Sequence, residues 1–390
     1  MKVLYVGVYR DGGGWSTAAE NYLLALDRVG IQVVPRPLKL NNVNHQPHPR
    51  ILELEKQSAT GCDIVIQHVL PHQLSFDGQF ERNIALYATE TSNFTSSVWA
   101  ERINAMDEAW VPNKQAANAA KASGVFIPVQ VVNHCFDINQ YMRSYPQYNE
   151  LKAYKHNGDF LFYFVGELVK RKNFPALLQA FHSEFSPDEP VQLVLKVNQS
   201  GASPQEVESK TLALTEEVKE NLKLHSHRYD YKREILITHR LNEQEMFSLH
   251  ASCDCFVATS YGEAWCQPCF DAMAMGRCPI VPASSGFLEY MSDNEGWLVP
   301  VREEPCYGAT DTFADIATAN ENWWSIDVLA LRRAMREAFE EEGKRKEKSL
   351  AGIQKAYAYS YEVVGAHTKR LLENDGRLER RTEGGSSRLD

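Results

Sequence analysis

The stretch Ser260-Tyr-Gly-Glu-Ala-Trp-Cys-Gln-Pro-Cys-Phe-Asp271, continuing Ala-Met-Ala-Met-Gly276, constrains this chain more than any other. It follows Asp254-Cys-Phe-Val-Ala-Thr259, an apolar run of strand length. Pro268 is a favoured first helical residue, and Gly276 is a natural stop. The spacing therefore predicts a strand, a loop and a short helix, with Glu263 in the loop and Asp271 in the first helical turn. Open backbone amides at a helix start hold phosphate, and a nearby carboxylate accepts hydrogen bonds from sugar hydroxyls. A ligand carrying both a diphosphate and a sugar, a nucleotide sugar, suits that combination.

With Cys278-Pro-Ile-Val-Pro282 in register behind it, the segment resembles the E-x7-E signature of retaining GT-B glycosyltransferases, in the large family usually numbered four. The family pattern runs roughly Ser-x-x-Glu-Gly-Phe-Gly-Leu-Pro-x-x-Glu-Ala-Met-Ala-x-Gly. Here Ala264 and Cys266 stand at the usual glycines, Trp265 replaces Phe, and Asp271 replaces the second Glu. The resemblance reaches to about residue 373. It implies an α/β chain of GT-B architecture, two facing Rossmann-like domains with parallel sheets and an interdomain cleft. Residues 1–150 would form the acceptor-side domain and 158–358 the nucleotide-sugar domain. Residues 359–374 would form a terminal helix crossing back to the first domain, and the polar tail 376–390 reads as disordered.

Along the first half, Lys2-Val-Leu-Tyr-Val-Gly-Val-Tyr9 reads as a buried parallel strand. Gly12-Gly13-Gly14 follows, then a helix for which Thr17 and Glu20 make a capping box. No G-x-G-x-x-G follows the strand, so the dinucleotide fingerprint is missing. In the resembled family this loop closes over the donor, which implies a donor-binding role for Gly13 and Gly14; a turn that needs positive φ is the competing reading. The polar segment Asn41 to Arg50 reads as an exposed loop on the acceptor side. Asp63-Ile-Val-Ile-Gln-His68 is a further strand, and ligands collect at the carboxyl edge of parallel sheets, where His68 and His72 fall. A structural role for His68 stays open. Asn83 to Thr91 is another strand, and its resemblance to family members implies that Thr89 and Glu90 face the cleft. Glu90 would lie beside the transferred sugar, with His68 and Thr89 toward the acceptor.

After a linker over Ser144 to Gly158, Phe160-Leu-Phe-Tyr-Phe-Val-Gly166 opens the second domain. Family members place a basic pair in the next loop to neutralise the leaving diphosphate. Lys172 sits at the lysine position, Glu167 stands where the arginine usually is, and Arg171 is the substitute for it. A cation at a helix start opposes the helix dipole unless an anion binds there. Lys196 ends the strand Val191 to Val197, and the turn Thr238 to Leu241, with Arg240, packs in the family against the base. The catalytic set implied by the resemblance is Lys172, Arg171, Glu263 and Glu90. The donor-binding set adds Gly13, Gly14, Lys196, Thr238, Arg240, Ala264, Trp265, Cys266, Gln267 and Asp271. Beyond Pro305 the pattern reads as helical, from Trp323-Trp324 through Phe339.

Composition narrows the class further. The formal charge of −10 over 390 residues argues against a protein that coats nucleic acid. No apolar run is long enough to span a bilayer, and the N-terminus lacks the form of a signal peptide. The expected location is the cytoplasm, with at most peripheral association at the inner membrane face. The 8 cysteines show no secreted framework. Cys253 and Cys255 with Cys266 and Cys269 have a spacing compatible with zinc, but the resembled register explains the whole segment without metal, and small buried thiols are the preferred reading. Cys253 and Cys255 are expected on one face of a strand, with Cys266 and Cys269 straddling the loop.

The resulting expectation is a metal-independent, retaining transferase with no cofactor. It would move a sugar from a nucleotide sugar, a UDP-sugar ahead of a GDP-sugar, to a hydroxyl acceptor on a glycan or lipid-linked partner. Three rivals stay open: transfer to a hydroxymethylated DNA base flipped from the duplex, a nucleotide-sugar 2-epimerase of the same fold, and a binding protein that has lost catalysis.

Overall fold

The computed structural model describes residues 1–40, 45–227 and 230–374. Four residues of the polar 41–50 loop, two near the end of the charged 205–233 segment, and the tail from 375 on lie outside the described residues. The apolar runs of the first half become β1 (Lys2–Gly7), β2 (Gln32–Pro37), β3 (Ile64–His68), β4 (Arg82–Leu86), β5 (Glu108–Val111) and β6 (Val129–Val131). They pair in parallel in the order β2-β1-β3-β4-β5-β6. Such strands are hydrophobic on both faces because helices cover both. Val3, Tyr5, Ile66 and Trp110 pack on one face, and Ala85, Tyr87, Ala109 and Val111 on the other.

The second half repeats the plan. β7 (Phe160–Glu167), β8 (Val191–Asn198), β9 (Ile235–Ile237) and β10 (Cys255–Phe256) form a parallel sheet in the order β10-β7-β8-β9. A bridge between Val257 and Ile280 carries it on to β11 (Ile280–Pro282) and β12 (Trp297–Val299). Leu161, Tyr163, Val194 and Phe256 face one apolar cluster, and Phe162, Phe164, Leu193 and Leu195 face the other. The molecule is thus an α/β structure of two Rossmann-like domains with parallel sheets. The helix Tyr361–Glu373 returns to lie along the first helix, Gly14–Arg28. A Cβ at Gly365 would fall 2.8 Å from the Ala25 carbonyl oxygen, so the absence of a side chain sets how closely these helices approach.

Three local expectations are corrected. The helix Gly14–Arg28 is capped by Gly13 at φ 94°, without a side-chain bond. Thr17 donates to the Gly13 carbonyl, and Glu20 turns away to His45 and the His48 amide, so no capping box forms. The helical pattern expected beyond Pro305 does not begin at Trp323-Trp324: those residues lie on β14 (Asn322–Ile326), which forms an antiparallel hairpin with β13 (Val301–Pro305). The helical pattern there was the neighbouring helix Val328–Glu340 read too far toward the N-terminus. Finally, Cys253 caps the helix Glu243–Ser252 and packs with Cys266 and Cys269, whereas Cys255 opens β10 and faces the opposite cluster. Cys253 is a helix cap rather than a strand residue, so the two thiols do not share a face. All eight cysteines are buried and free. Among the described residues, no three or more His, Cys, Asp or Glu side chains are grouped to hold a metal ion, and no helix is long and apolar enough to cross a membrane.

Candidate active site

The site is assembled where the carboxyl ends of β7, β8 and β10 meet the end of β4 from the other domain. After β7 the chain makes a tight turn, Lys170–Lys172, and reaches the helix Phe174–Glu184 through Asn173 at φ 51°. Thr259 is wholly buried just past β10, and its hydroxyl bonds the carbonyls of Lys172 and Asn173 at 3.0 Å each. The Tyr261 amide donates to the Arg171 carbonyl at 2.8 Å. The motif loop and the basic turn are therefore one rigid unit.

Within that unit Glu263 lies between two cations. Lys172 Nζ is 2.5 Å from one carboxylate oxygen and Arg171 Nη1 is 3.0 Å from the other, with the Glu263 side chain 5% exposed. Burial alone would raise its pKa, but the two cations and its hydrogen bonds bring it down to about 2. Arg171 also donates to the Gly262 carbonyl at 2.8 Å and reaches across the cleft to Glu90 at 2.9 Å. Glu90 is 39% exposed yet walled in by protein, as a side chain on a cleft floor is. Burial raises its pKa, Arg171 opposes this, and Glu263 reinforces it.

Lys196, near the end of β8, is 4% exposed, and among the described residues no carboxylate lies within ion-pairing distance. Its Nζ finds only the Val197 carbonyl at 3.4 Å, and burial lowers its pKa to about 8. Arg240 comes from the exposed turn after β9, with its guanidinium against Gly12; a Cβ there would be 2.7 Å from Nη2. Gly12 and Gly13 take positive φ (68° and 94°), which glycine adopts without strain, while Gly14 opens the helix with nothing within 4 Å of a would-be Cβ. Thr238 is half-buried in the same turn as Arg240.

The helix that carries Asp271 runs from Gln267 to Ala274 with no side-chain cap; Pro268 has no N–H and the Cys269 amide donates to the Cys266 carbonyl, so among the described hydrogen bonds the Cys266 and Gln267 amides are the ones left available. Cys266 precedes it at φ 63°, the position where the resembled family places glycine. Beside it, Ser285 at φ 51° accepts a bond from the Glu263 amide at 3.2 Å, and a Cβ on Gly286 would strike the Ala264 carbonyl oxygen at 2.3 Å. Of the five non-glycine residues with positive φ among the described residues, three (Asn173, Cys266, Ser285) border this one site. Strain concentrates where function over-determines the backbone.

Asp271 itself is 7% exposed and accepts a 2.6 Å bond from Tyr141, which follows the last strand of the first domain. Burial pushes its pKa up to about 7, against the lowering effect of that bond. Trp265 is buried and stacks on His134 at 5.2 Å. His68 lies apart from the charged cluster: it is buried, bonded to Tyr5 at 2.7 Å and covered by Trp15 at 5.0 Å. Burial and the His134 charge hold His68 neutral, with a pKa of about 3. Thr89 is buried beside Thr91.

The structure thus brings Arg171, Lys172, Glu263 and Glu90 into one cluster, while Asp271 and His68 are engaged elsewhere. Sequence reasoning missed Tyr141 and His134, whose partners lie about 130 residues away, and nothing local signals them. It also passed over Gly262. A Cβ there would lie 1.9 Å from the Glu90 carbonyl oxygen, so this glycine lets the two domains touch. The signal was in plain view, a glycine inside the motif at a residue adjoining Glu263. Asn113 closes the same junction, capping the helix Lys114–Ala122 and donating to the Ala264 carbonyl at 2.5 Å.

Residues 149–305 match the family described as glycosyl transferases group 1. No curated protein matches the chain by sequence. Among solved structures, HepE of Anabaena in complex with UDP-glucose superposes with a TM-score of 0.67 at 14% identity, covering 96% of this chain and 100% of that one. Sucrose-phosphate synthase from Thermosynechococcus elongatus gives 0.63 at 14% identity, covering 98% and 100%. An E. coli trehalose-6-phosphate structure bound with UDP-2-fluoro glucose gives 0.66 at 9% identity, covering 96% and 99%. The structural likeness establishes the GT-B fold, and with the family match it supports a glycosyltransferase enzyme, class EC 2.4.

Proposed function

We propose that this chain transfers a sugar, with retention at the anomeric carbon, from a nucleotide sugar to a hydroxyl acceptor on a glycan or lipid-linked partner. The observation that carries the reading is the gathering of four basic side chains along one sheet edge. Arg171, Lys172, Lys196 and Arg240 stand at or just past the carboxyl ends of β7, β8 and β9, the sheet edge from which the chain after β10 enters the Gln267 helix; Glu263 and Glu90 offset Arg171 and Lys172, while Lys196 has no carboxylate partner among the described residues. A diphosphate is the ligand such a site fits. A UDP-sugar comes first, because two of the similar structures hold one.

In this reading the diphosphate sits on Lys172, Arg171 and the helix amides. The bond between the anomeric carbon and the phosphate oxygen breaks, and the electron pair leaves with the nucleotide. Preorganised cations stabilise that departing charge. The acceptor oxygen attacks the same face of the sugar, and its proton passes to the departing phosphate oxygen. Glu263 holds both cations in place. Glu90, on the floor of the cleft, faces the sugar from the other domain. Protein cations do here what a metal ion does elsewhere, so no metal enters the reaction.

The test is turnover of radiolabelled UDP- and GDP-sugars, with and without acceptors, in chelator. Acceptor-dependent transfer that survives chelator supports the reading. Epimerised or free sugar formed without acceptor points to the epimerase, and labelling of hydroxymethylated DNA alone points to the base-modifying rival. No turnover with any pairing, despite nucleotide binding, leaves a binding protein.

A further inference from the structure

We infer that the hairpin β13–β14 is a clasp that holds Glu90 against Arg171, with Asn322 and Trp323 as its positioning residues. The inference rests on the transfer site proposed above. The hairpin's loop and second strand lie beyond the segment that matches the transferase family, which ends at residue 305. Their contacts nevertheless lead to both sides of the catalytic cluster.

On one side, the Ser92 amide donates to the Asn322 carbonyl at 2.8 Å, and the Asn322 amide donates back to the Ser92 hydroxyl at 3.0 Å. Ser92 follows Glu90 by two residues. Farther along the loop, Ile316 packs into the apolar cluster of the first domain that contains Val69 and Leu74. On the other side, the Trp323 ring lies flat on Tyr261, 4.3 Å between centroids and 11° between planes. The Trp324 amide donates to the Tyr261 carbonyl at 2.8 Å, and Tyr261 in turn donates to the carbonyl of Arg171. Three consecutive residues, 322 to 324, therefore tie the loop bearing Glu90 to the turn bearing Arg171.

The Glu90–Arg171 ion pair spans the gap these residues bracket, at 2.9 Å with a Glu90 side chain more than a third exposed. One partly solvated ion pair does not hold two domains in a fixed register. The paired Ser92–Asn322 bonds, one to a carbonyl and one to a hydroxyl, and the ring stack on buried Trp323 do, and misplacement by about 1 Å is enough to cost catalysis on the order of a hundredfold. The clasp supplies the register that the ion pair needs.

The test uses the full chain and reads hydrogen–deuterium exchange over residues 91–97 alongside release of UDP from UDP-glucose. In Trp323→Ala, exchange over 91–97 should rise and kcat should fall, each by about tenfold or more, while KM for UDP-glucose stays within about threefold. Trp323→Phe keeps the ring stack and should restore both to within about threefold of the parent. Ile316→Ser, which loosens only the loop's outer end, should speed exchange over 91–97 and leave β7 and β8 protected. Unchanged exchange at 91–97 in both Trp323→Ala and Ile316→Ser overturns the clasp. So does a rise in KM as large as the fall in kcat, which would make the hairpin part of donor binding. A parent protein that never turns over UDP-glucose counts against the transfer reading instead, and the exchange result then decides the clasp alone.

Discussion

A carboxylate as buried as Glu263 stays ionised only because Lys172 and Arg171 face it, and the same contact holds those two cations in place. Removing either partner should therefore have separable effects. Lys172→Ala takes away one preorganised positive contact to the leaving group and should cut turnover by roughly two orders of magnitude or more, about 3–4 kcal/mol. Glu263→Gln leaves Lys172 without its carboxylate and Arg171 with Glu90 alone, so stability should fall by about 3 kcal/mol while UDP binds no more weakly than in the parent. Urea unfolding and calorimetric titration with UDP check this pair. A tenfold or greater loss of UDP affinity in Glu263→Gln would place the carboxylate on the donor rather than on the cations. The residue types at this site were legible from the motif. Their pairing was not, because Lys172 and Glu263 are 91 residues apart and no local pattern joins them.

At the scale of elements, the strands were legible because parallel sheets demand apolar runs, and every run named in the sequence is a strand or adjoins one. What failed were features decided by contacts outside the element. The Thr17 and Glu20 pattern is that of a capping box, but Glu20 is drawn to His45 instead. The Trp323-Trp324 pair was taken into the following helix, although its strand partner is Glu303–Glu304, which sequence proximity does not reveal. The motif loop shows the same dependence on its surroundings through Gly286. Gly286→Ala should destabilise the fold by about 2 kcal/mol or more, because the new methyl would meet the Ala264 carbonyl, a backbone atom with no rotamer to yield. Gly14→Ala meets open space and should stay within about 0.5 kcal/mol of the parent. Thermal unfolding of the two variants side by side checks the contrast; equal losses would mean that a methyl fits between Gly286 and the Ala264 carbonyl.

For the whole molecule, the two-domain plan was readable from a repeated strand–helix rhythm and from the family resemblance, but the way the halves close was not. Closure depends on Gly262 under Glu90, on the hairpin, and on Tyr141 reaching Asp271. That last contact makes the stability of the assembly depend on pH in a way one substitution can isolate. Burial raises Asp271 to about 7 in the folded chain, from an ordinary value of 3.8. Between those values the native state holds a proton that the unfolded chain has released. Asp271 therefore contributes stability that is fully present below about pH 4 and is lost as pH rises through 7. His68, His134 and His250 act in the opposite sense. Burial lowers them to about 3, 4 and 3, so the stability they contribute is present above their ordinary value of 6.5 and is lost as pH falls toward 3. In the parent these trends oppose one another between pH 4 and 6.5. Asp271→Asn keeps an acceptor for Tyr141 but removes one side of the opposition. Its stability relative to the parent should fall as pH drops from 7 to 5, by about 1.4 kcal/mol per pH unit, and should level off above pH 8. Urea unfolding of both proteins at pH 5, 6, 7 and 8 measures the difference directly. Parallel curves across that range would mean that Asp271 is ionised and open to solvent in the free enzyme, as a carboxylate waiting for a ribose would be.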